Sequence, residues 1–149
     1  MVCLGNICRS PLAEGILQKK LKEYGLDQQV TVDSCGTNGL HDGEHPDPRT
    51  LENARQNKVY IDKLVSRQFI PIDLWDFDRV YCMDSSNYAN VMAAVTKEEH
   101  KEKVSMILNE SRPGSNMDVP DPYYGGEDGF QTVFDLLDEA CTVIADGLK

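Results

Sequence analysis

Hydrophobic positions along the chain alternate between helical and strand-like spacing. Leu12, Ala13, Ile16, Leu17 and Leu21 recur at intervals of three and four, the stripe of an amphipathic helix that Gly25 is placed to end. Val30-Thr31-Val32 predicts a short strand. Asp47 before Pro48 reads as an N-cap and first helical residue, opening a helix toward Asn57. The run Phe77 to Met83 predicts a buried strand, Ser85 to Ala94 a helix after it, and Val104 to Leu108 a further strand. Phe130, Val133, Phe134, Leu137, Ala140, Cys141, Ile144 and Leu148 then keep a helical period to the C-terminus. This alternation predicts an α/β fold of three layers, α/β/α, with a central parallel sheet of about four strands flanked by helices. No repeat, linker or low-complexity tract interrupts it, so residues 1–149 read as one domain. In such sheets ligands sit beyond the carboxyl ends of the strands.

The densest chemistry lies at the start of the chain, in Cys3-Leu4-Gly5-Asn6-Ile7-Cys8-Arg9-Ser10-Pro11. A phosphomonoester under attack becomes a trianion and needs many donors converging on three oxygens. A tight loop can supply them from its own backbone. Gly5 permits conformations closed to residues with a Cβ, and Asn6 tolerates a left-handed one, so successive N–H groups can form an anion nest. Ser10 then Pro11 read as the N-cap and first residue of a helix whose positive end faces the same anion. The planar, forked Arg9 suits a grip on two phosphate oxygens. The same dipoles and cation favour thiolate over thiol at Cys3, which makes it the candidate nucleophile. A cysteine is more often a small buried hydrophobe, and it is Gly5, Asn6 and the Ser-Pro helix start that lift Cys-x5-Arg above chance.

Charge narrows the partners. Lys and Arg number 15 against 25 Asp and Glu, a formal net charge of -10 that opposes nucleic acid and anionic membrane surfaces. A small phosphorylated ligand relies instead on local positive potential. No apolar run reaches the ~20 residues of a membrane span and no signal peptide precedes Cys3, which with five cysteines lacking a disulfide-scaffold spacing leads us to expect a cytoplasmic protein. Only Met1 and Val2 precede the nucleophile, although a loop of this kind should follow a full buried strand, so we expect the chain to be shortened at its N-terminus.

Cleaving an aryl or alkyl phosphate also needs an acid, because the leaving oxygen departs poorly unless protonated. Candidates concentrate between Asn116 and Gly126. Asp121 is bracketed by Pro120 and Pro122, which stiffen the backbone and exclude helix, so its carboxylate can be held over a site. Tyr123 and Tyr124 beside it suit the rim of a pocket for an aromatic leaving group. An acidic surface turn is the bland alternative, set aside because a phosphate loop exists elsewhere in the chain.

Taken together, these segments resemble the low-molecular-weight protein tyrosine phosphatases. Val2 to Pro11 followed by Ala13-Glu14 is similar to that family's phosphate loop, and Asp121-Pro122-Tyr123-Tyr124-Gly125 to its general-acid loop. Between them Asp33-Ser34, Gly43, Pro46-Asp47, Arg67-Gln68 and Cys82-Met83-Asp84-Ser85-Ser86-Asn87 also fall in family order. The resemblance implies hydrolysis of phosphotyrosine in proteins, and of small aryl phosphates, through a cysteinyl phosphate, without metal or other cofactor. It assigns Cys3 as nucleophile, Arg9 as anion grip and Asp121 as acid and base. Leu4, Gly5, Asn6, Ile7, Cys8 and Ser10 would hold the substrate phosphate or another oxyanion, with Leu40, Tyr123 and Tyr124 at the substrate ring. Ser10 would donate a hydrogen bond to the thiolate, Asn6 with Ser34 would lock the loop, and Asp84 and Asn87 would support the site. A reversible Cys3–Cys8 disulfide protecting the nucleophile is also implied. The remaining cysteines, Cys35, Cys82 and Cys141, fit the core better than chemistry. We expect a monomer or weak dimer.

Two positions depart from the family pattern. Leu40 stands where an aromatic residue often lines the substrate cleft. Leu64 stands where eukaryotic members have a histidine tied to the loop asparagine, so that support is missing or replaced. His41 and His45 sit beside Gly43 and Pro46, which oppose a helix, so a metal site there is disfavoured. Alternative readings on the same fold are an arsenate reductase, which lacks here a second redox pair near Cys82, and a protein-arginine phosphatase, which tends to carry Thr where Ile7 stands. A non-catalytic phosphotyrosine-binding protein would lose the nucleophile or acid, and both Cys3 and Asp121 are present.

Overall fold

A computed structural model describes residues 1–149, the Glu127 side chain excepted. In chain order the elements are β1 (Val2–Cys3), α1 (Arg9–Glu23), β2 (Cys35–Gly36), α2 (Pro48–Gln56), α3 (Asp73–Asp76), β3 (Val80–Cys82), α4 (Ser85–Ala93), α5 (Glu98–Lys101), β4 (Val104–Met106) and α6 (Glu127–Asp146). Single 3-10 turns cover Ile107–Asn109 and Pro122–Tyr124. The strands form one parallel sheet in the order β2-β1-β3-β4, with Val2 opposite both Cys35 and Cys82.

Strand alternation divides the core in two. Cys3, Tyr81 and Met83 face one cluster, built with Leu12, Ile16 and Leu21 of α1 and Val133, Leu137 and Cys141 of α6. Val2, Val80 and Cys82 face the other, with Leu74 of α3 and Val91 of α4. Both faces are therefore covered, the three-layer arrangement that the alternating pattern predicts. Each large aliphatic side chain buried this way contributes roughly 1.5–3 kcal/mol.

Local signals explain the helix starts near the site. The Asp47 carboxylate accepts from the Arg49 N–H at 2.8 Å and Pro48 follows it, so α2 begins as the sequence predicts. At α4, Asp84 accepts from the Asn87 N–H at 2.8 Å while Asn87 Oδ1 accepts from the Asp84 N–H at 3.2 Å, a reciprocal cap. Gly25, with φ of 72°, follows α1 in the left-handed conformation that ends helices.

Four expectations need correction. Val30-Thr31-Val32 is not a strand; β2 lies later, at Cys35–Gly36, because the register sets Val2 against Cys35 and leaves residues 30–32 without a β1 partner. The strand expected from Phe77 begins only at Val80, where the Lys103 carbonyl accepts from the Val80 N–H at 2.8 Å. The strand expected over Val104 to Leu108 stops at Met106 and tightens into a 3-10 turn. The helix after the phosphate loop starts at Arg9 with Cys8 at its N-cap position, not with Ser10 as cap and Pro11 first. Ser10 Oγ is engaged elsewhere, as described next.

Candidate active site

The loop from Cys3 to Cys8 joins β1 to α1 at the carboxyl end of the sheet, and its shape follows from where its carbonyls go. The Cys3 carbonyl accepts from Thr37 N–H at 2.9 Å, Leu4 from Asn38 N–H at 3.0 Å, Ile7 from Asp47 N–H at 2.8 Å and Cys8 from Leu12 N–H at 3.4 Å. The Asn6 carbonyl accepts from Ser66 Oγ at 2.6 Å. With those carbonyls bonded outward, planar peptides aim the following N–H groups inward. Among the described residues, the N–H groups of Gly5, Ile7, Cys8 and Arg9 find no protein acceptor. These four residues, with Cys3, line a cavity of about 210 Å³. Such a ring of donors is an anion site.

Asn6 sits at the hinge of this ring, buried, with φ of 56°, the left-handed conformation its residue type tolerates. Its Nδ2 donates to Ser10 Oγ at 2.8 Å and to Ser34 Oγ at 2.9 Å, and its Oδ1 accepts from the Arg67 N–H at 3.0 Å. Ser34 Oγ donates in turn to the buried Glu14 carboxylate at 2.7 Å. The Asn6 N–H points at Cys3 Sγ at 3.3 Å, and Ser10 Oγ lies 3.0 Å from the same sulfur. The Ser10 hydroxyl is therefore committed to the sulfur and its neighbours, not to a helix cap.

Arg9 is 3% exposed, yet its charge is matched. Its Nη1 donates to Asp84 Oδ2 at 2.7 Å and to the Val119 carbonyl at 3.0 Å, while Nη2 lies 3.6 Å from Asp121 Oδ2. The sheet brings these partners together from distant positions: Asp84 follows β3, and the Val119 N–H donates to the Met83 carbonyl at 2.7 Å, which ties the acid loop to the same strand end. Asp118 Oδ1 adds a bond from the Ser85 N–H at 2.8 Å. Asp121 is itself steadied by the Tyr123 N–H at 3.0 Å. Asn87, capping α4 beside Asp84, is buried and reaches the site only through that cap.

Around the mouth, Leu4, Leu40 and Tyr124 are exposed and Tyr123 is partly so. Tyr123 and Tyr124 meet edge to face, with ring centroids 5.0 Å apart. Arg49, which sequence reasoning missed, lies over both Tyr123 and Phe130 at 5.2 and 4.9 Å and is held by the Asp47 carboxylate at 3.0 Å. His41 lies on the cavity wall beside Gly5 and pairs with Glu44 at 2.9 Å. Cys8, Cys35, Cys82 and Cys141 are all buried, and burial pushes each of these thiols up to about 12.

The model of the low molecular weight phosphotyrosine protein phosphatase family matches residues 1–149. The chain belongs to that family. A low molecular weight phosphotyrosine protein phosphatase of Schizosaccharomyces pombe is 43% identical over 130 residues, which cover 87% of this chain and 82% of that one. The crystal structure of a protein tyrosine phosphatase from Entamoeba histolytica, with Hepes in its active site, superposes with a TM-score of 0.92 at 35% identity, covering 99% of this chain and 93% of that one. An arginine phosphatase of Drosophila superposes with a TM-score of 0.89 at 28% identity, covering 99% and 95%. As a low molecular weight phosphatase the protein is a protein tyrosine phosphatase acting on phosphoproteins. No helix among its described residues is long and apolar enough to cross a membrane.

Ser66, Arg67, Val119, Asp118, Arg49 and Glu14 are the contributors to this site that carried no assigned role in the sequence. All but Glu14 act from remote segments, through contacts whose partners no local pattern reveals. Glu14 had a signal of its own, an acidic residue on the apolar stripe of α1, while Arg67 stood in the Arg67-Gln68 pair and Asp118 and Val119 in the Asn116 to Gly126 segment.

Proposed function

We propose that Cys3 attacks the phosphorus of phosphotyrosine, forming an S–P bond as the bond to the tyrosyl oxygen breaks. Arg9 and the loop N–H groups hold the three remaining oxygens, and Asp121 gives its proton to the departing phenolate. Asp121, now ionised, takes a proton from a water that attacks the cysteinyl phosphate, releasing inorganic phosphate and restoring the Cys3 thiolate. Ser10 Oγ stabilises that thiolate and Asn6 with Ser34 keeps the loop in shape. Asp84, itself fixed by Asn87, orients Arg9. Donors already aimed at the transferring group need no reorganisation, and each is worth roughly 10²–10³ in rate in comparable sites.

The observation that carries this reading is the loop whose carbonyls are bonded to neighbouring segments while the Gly5, Ile7, Cys8 and Arg9 N–H groups are left without a protein acceptor among the described residues, in a cavity that these residues line with Cys3. The Arg9–Asp121 separation of 3.6 Å supports an acid held at the same anion. Leu4, Ile7, Leu40 and Tyr123 give the cavity apolar walls for a flat ring, with Tyr124 at the outer rim. The substrates are phosphotyrosine-bearing proteins, and free phosphate or another oxyanion occupies the same cradle. We place the enzyme in the cytoplasm, where reduced thiols persist, as a monomer or weak dimer.

Hydrolysis of p-nitrophenyl phosphate, phosphotyrosine peptide and phosphoarginine by wild type, Cys3→Ser and Asp121→Asn tests the assignment. Cys3→Ser loses turnover, and Asp121→Asn loses most with the poorer leaving group, by about 10²–10⁴. A phosphoarginine preference has the likeness to the Drosophila enzyme in its favour. Turnover of phosphoarginine above phosphotyrosine would establish it.

A further inference from the structure

The phosphate loop is clamped from behind by a dipeptide that no chemical step uses. Asn6, the loop residue with left-handed φ of 56°, is gripped at both of its carbonyls. Ser66 Oγ donates to its main-chain oxygen at 2.6 Å and the Arg67 N–H donates to its side-chain oxygen at 3.0 Å. Ser66 is 5% exposed and fixed at both ends, its N–H donating to the Glu44 carbonyl at 2.8 Å and its carbonyl accepting from the Gly43 N–H at 2.9 Å. The Arg67 carbonyl accepts from Gly36 N–H at 2.9 Å, directly beneath the loop, where a Cβ on Gly36 would stand 3.0 Å from the Asn6 nitrogen. Arg67 is anchored in turn by Asp33 and Asp73, each at 3.0 Å. Leu64, in the same segment, turns instead to the core.

We propose that Ser66 is a positioning residue for phosphoryl transfer, its hydroxyl fixing the Asn6–Ile7 peptide so that the Ile7 N–H faces the phosphate. A peptide is a rigid plane whose carbonyl and N–H point in opposite directions, so whatever holds one aims the other. Without the hydroxyl, the Asn6 carbonyl is buried with no donor. Rotating that peptide to find one would present an oxygen to the anion in place of a donor. The inference rests on the phosphatase reading of the same loop.

Ser66→Ala and Ser66→Thr are compared with wild type for kcat and KM on p-nitrophenyl phosphate, and for inorganic phosphate binding by calorimetry and by inhibition. Ser66→Ala is expected to lower kcat and weaken phosphate each by about tenfold or more, the equivalent of ~1.4 kcal/mol. Ser66→Thr, which keeps the hydroxyl, is expected to retain both within about threefold. Ser66→Ala within about twofold of wild type on both readings, or Ser66→Thr as impaired as Ser66→Ala, overturns the proposal. Should Ser66→Ala not fold, Ser66→Cys carries the same comparison, and failure of both to fold assigns the hydroxyl to the fold alone and overturns it. A wild type that binds phosphate without turnover would sink the phosphatase reading, and the binding comparison would still decide on Ser66.

Discussion

Replacing Asp84 separates two roles that one carboxylate performs, capping α4 and holding Arg9. Arg9 is 3% exposed and Asp84 20%, with 2.7 Å between Nη1 and Oδ2. In Asp84→Asn the cap survives, because Asn serves as well as Asp at that position. What changes is the second oxygen, Oδ2, which becomes an NH2 meeting Arg9 Nη1 donor to donor, so the hydrogen bond to the charged guanidinium is lost, about 2 kcal/mol. For a chain of this length that lowers Tm by roughly 4–8 °C. Asp84→Ala removes the cap as well, about 1 kcal/mol, and leaves a buried guanidinium with only the Val119 carbonyl and the more distant Asp121. Loss of a fully buried pair costs about 3–5 kcal/mol; partial exposure and the remaining partners reduce that here to about 2. The sum is ~3 kcal/mol, or a Tm lower by roughly 6–12 °C. Freed from Asp84, Arg9 closes on Asp121, which costs orientation at the anion, and kcat should fall by about tenfold or more. Thermal unfolding and p-nitrophenyl phosphate kinetics on both variants read this out. An Asp84→Ala protein within about a degree of wild type, with kcat within about twofold, would refute the reasoning.

Other consequences are as concrete. Peroxide should inactivate wild type reversibly, through a Cys3 sulfenic acid that the Cys8 thiol converts to a disulfide with loss of water; in Cys8→Ser the sulfenic acid has no thiol to condense with and excess peroxide carries it on to sulfinic acid, so dithiothreitol should restore much less activity, and equal recovery under the same excess would count against the disulfide. Because burial pushes Cys8 up to about 12, that disulfide step should quicken as pH rises from neutrality. Burial, opposed by the Ser34 hydrogen bond and reinforced by Asp33, raises the Glu14 carboxyl above its ordinary 4.5. The folded protein then holds that proton more tightly than the unfolded chain, so Glu14 favours folding fully below 4.5 and loses this contribution as pH rises through its folded pKa. Glu14→Gln should flatten Tm against pH over that interval, and an unchanged slope would count against it. Finally, a cavity of about 560 Å³ opens beside Met1, walled by Val32 and Val80. Adding alternating apolar residues upstream of Met1, in continuation of β1, should raise Tm where a Gly-Ser extension does not; unchanged unfolding would sink that expectation.

What the sequence disclosed best was whatever is encoded locally. Cys3 to Arg9 declares a loop because Asn6 supplies the left-handed residue that the turn needs and the nucleophile and the arginine are near neighbours in the chain; Gly5, expected to supply backbone freedom, is not in the left-handed region and instead leaves room for His41. The Asp47-Pro48 start and the α6 stripe were legible for the same reason. Ser10 misled as a cap signal because a hydroxyl in the first turn can serve either the backbone or, as here, a sulfur across the loop, and local pattern does not distinguish them. Val30-Thr31-Val32 has strand composition, but a strand exists only where a partner lies in register. The clamp on Asn6 comes from residues 66 and 67, distant in the chain, and Arg49 reaches Tyr123 only once α2 and the acid loop are packed together. Such contacts are properties of the assembled sheet.

The phosphocysteine proposed at Cys3 can be observed directly. Wild type mixed with p-nitrophenyl phosphate and quenched during turnover should yield, by peptide mass spectrometry, one phosphoryl group on Cys3, absent from Cys3→Ser and more abundant when Asp121→Asn slows hydrolysis of the intermediate. Steady turnover with no phosphorylated cysteine, or with the phosphoryl group on another residue, would contradict it.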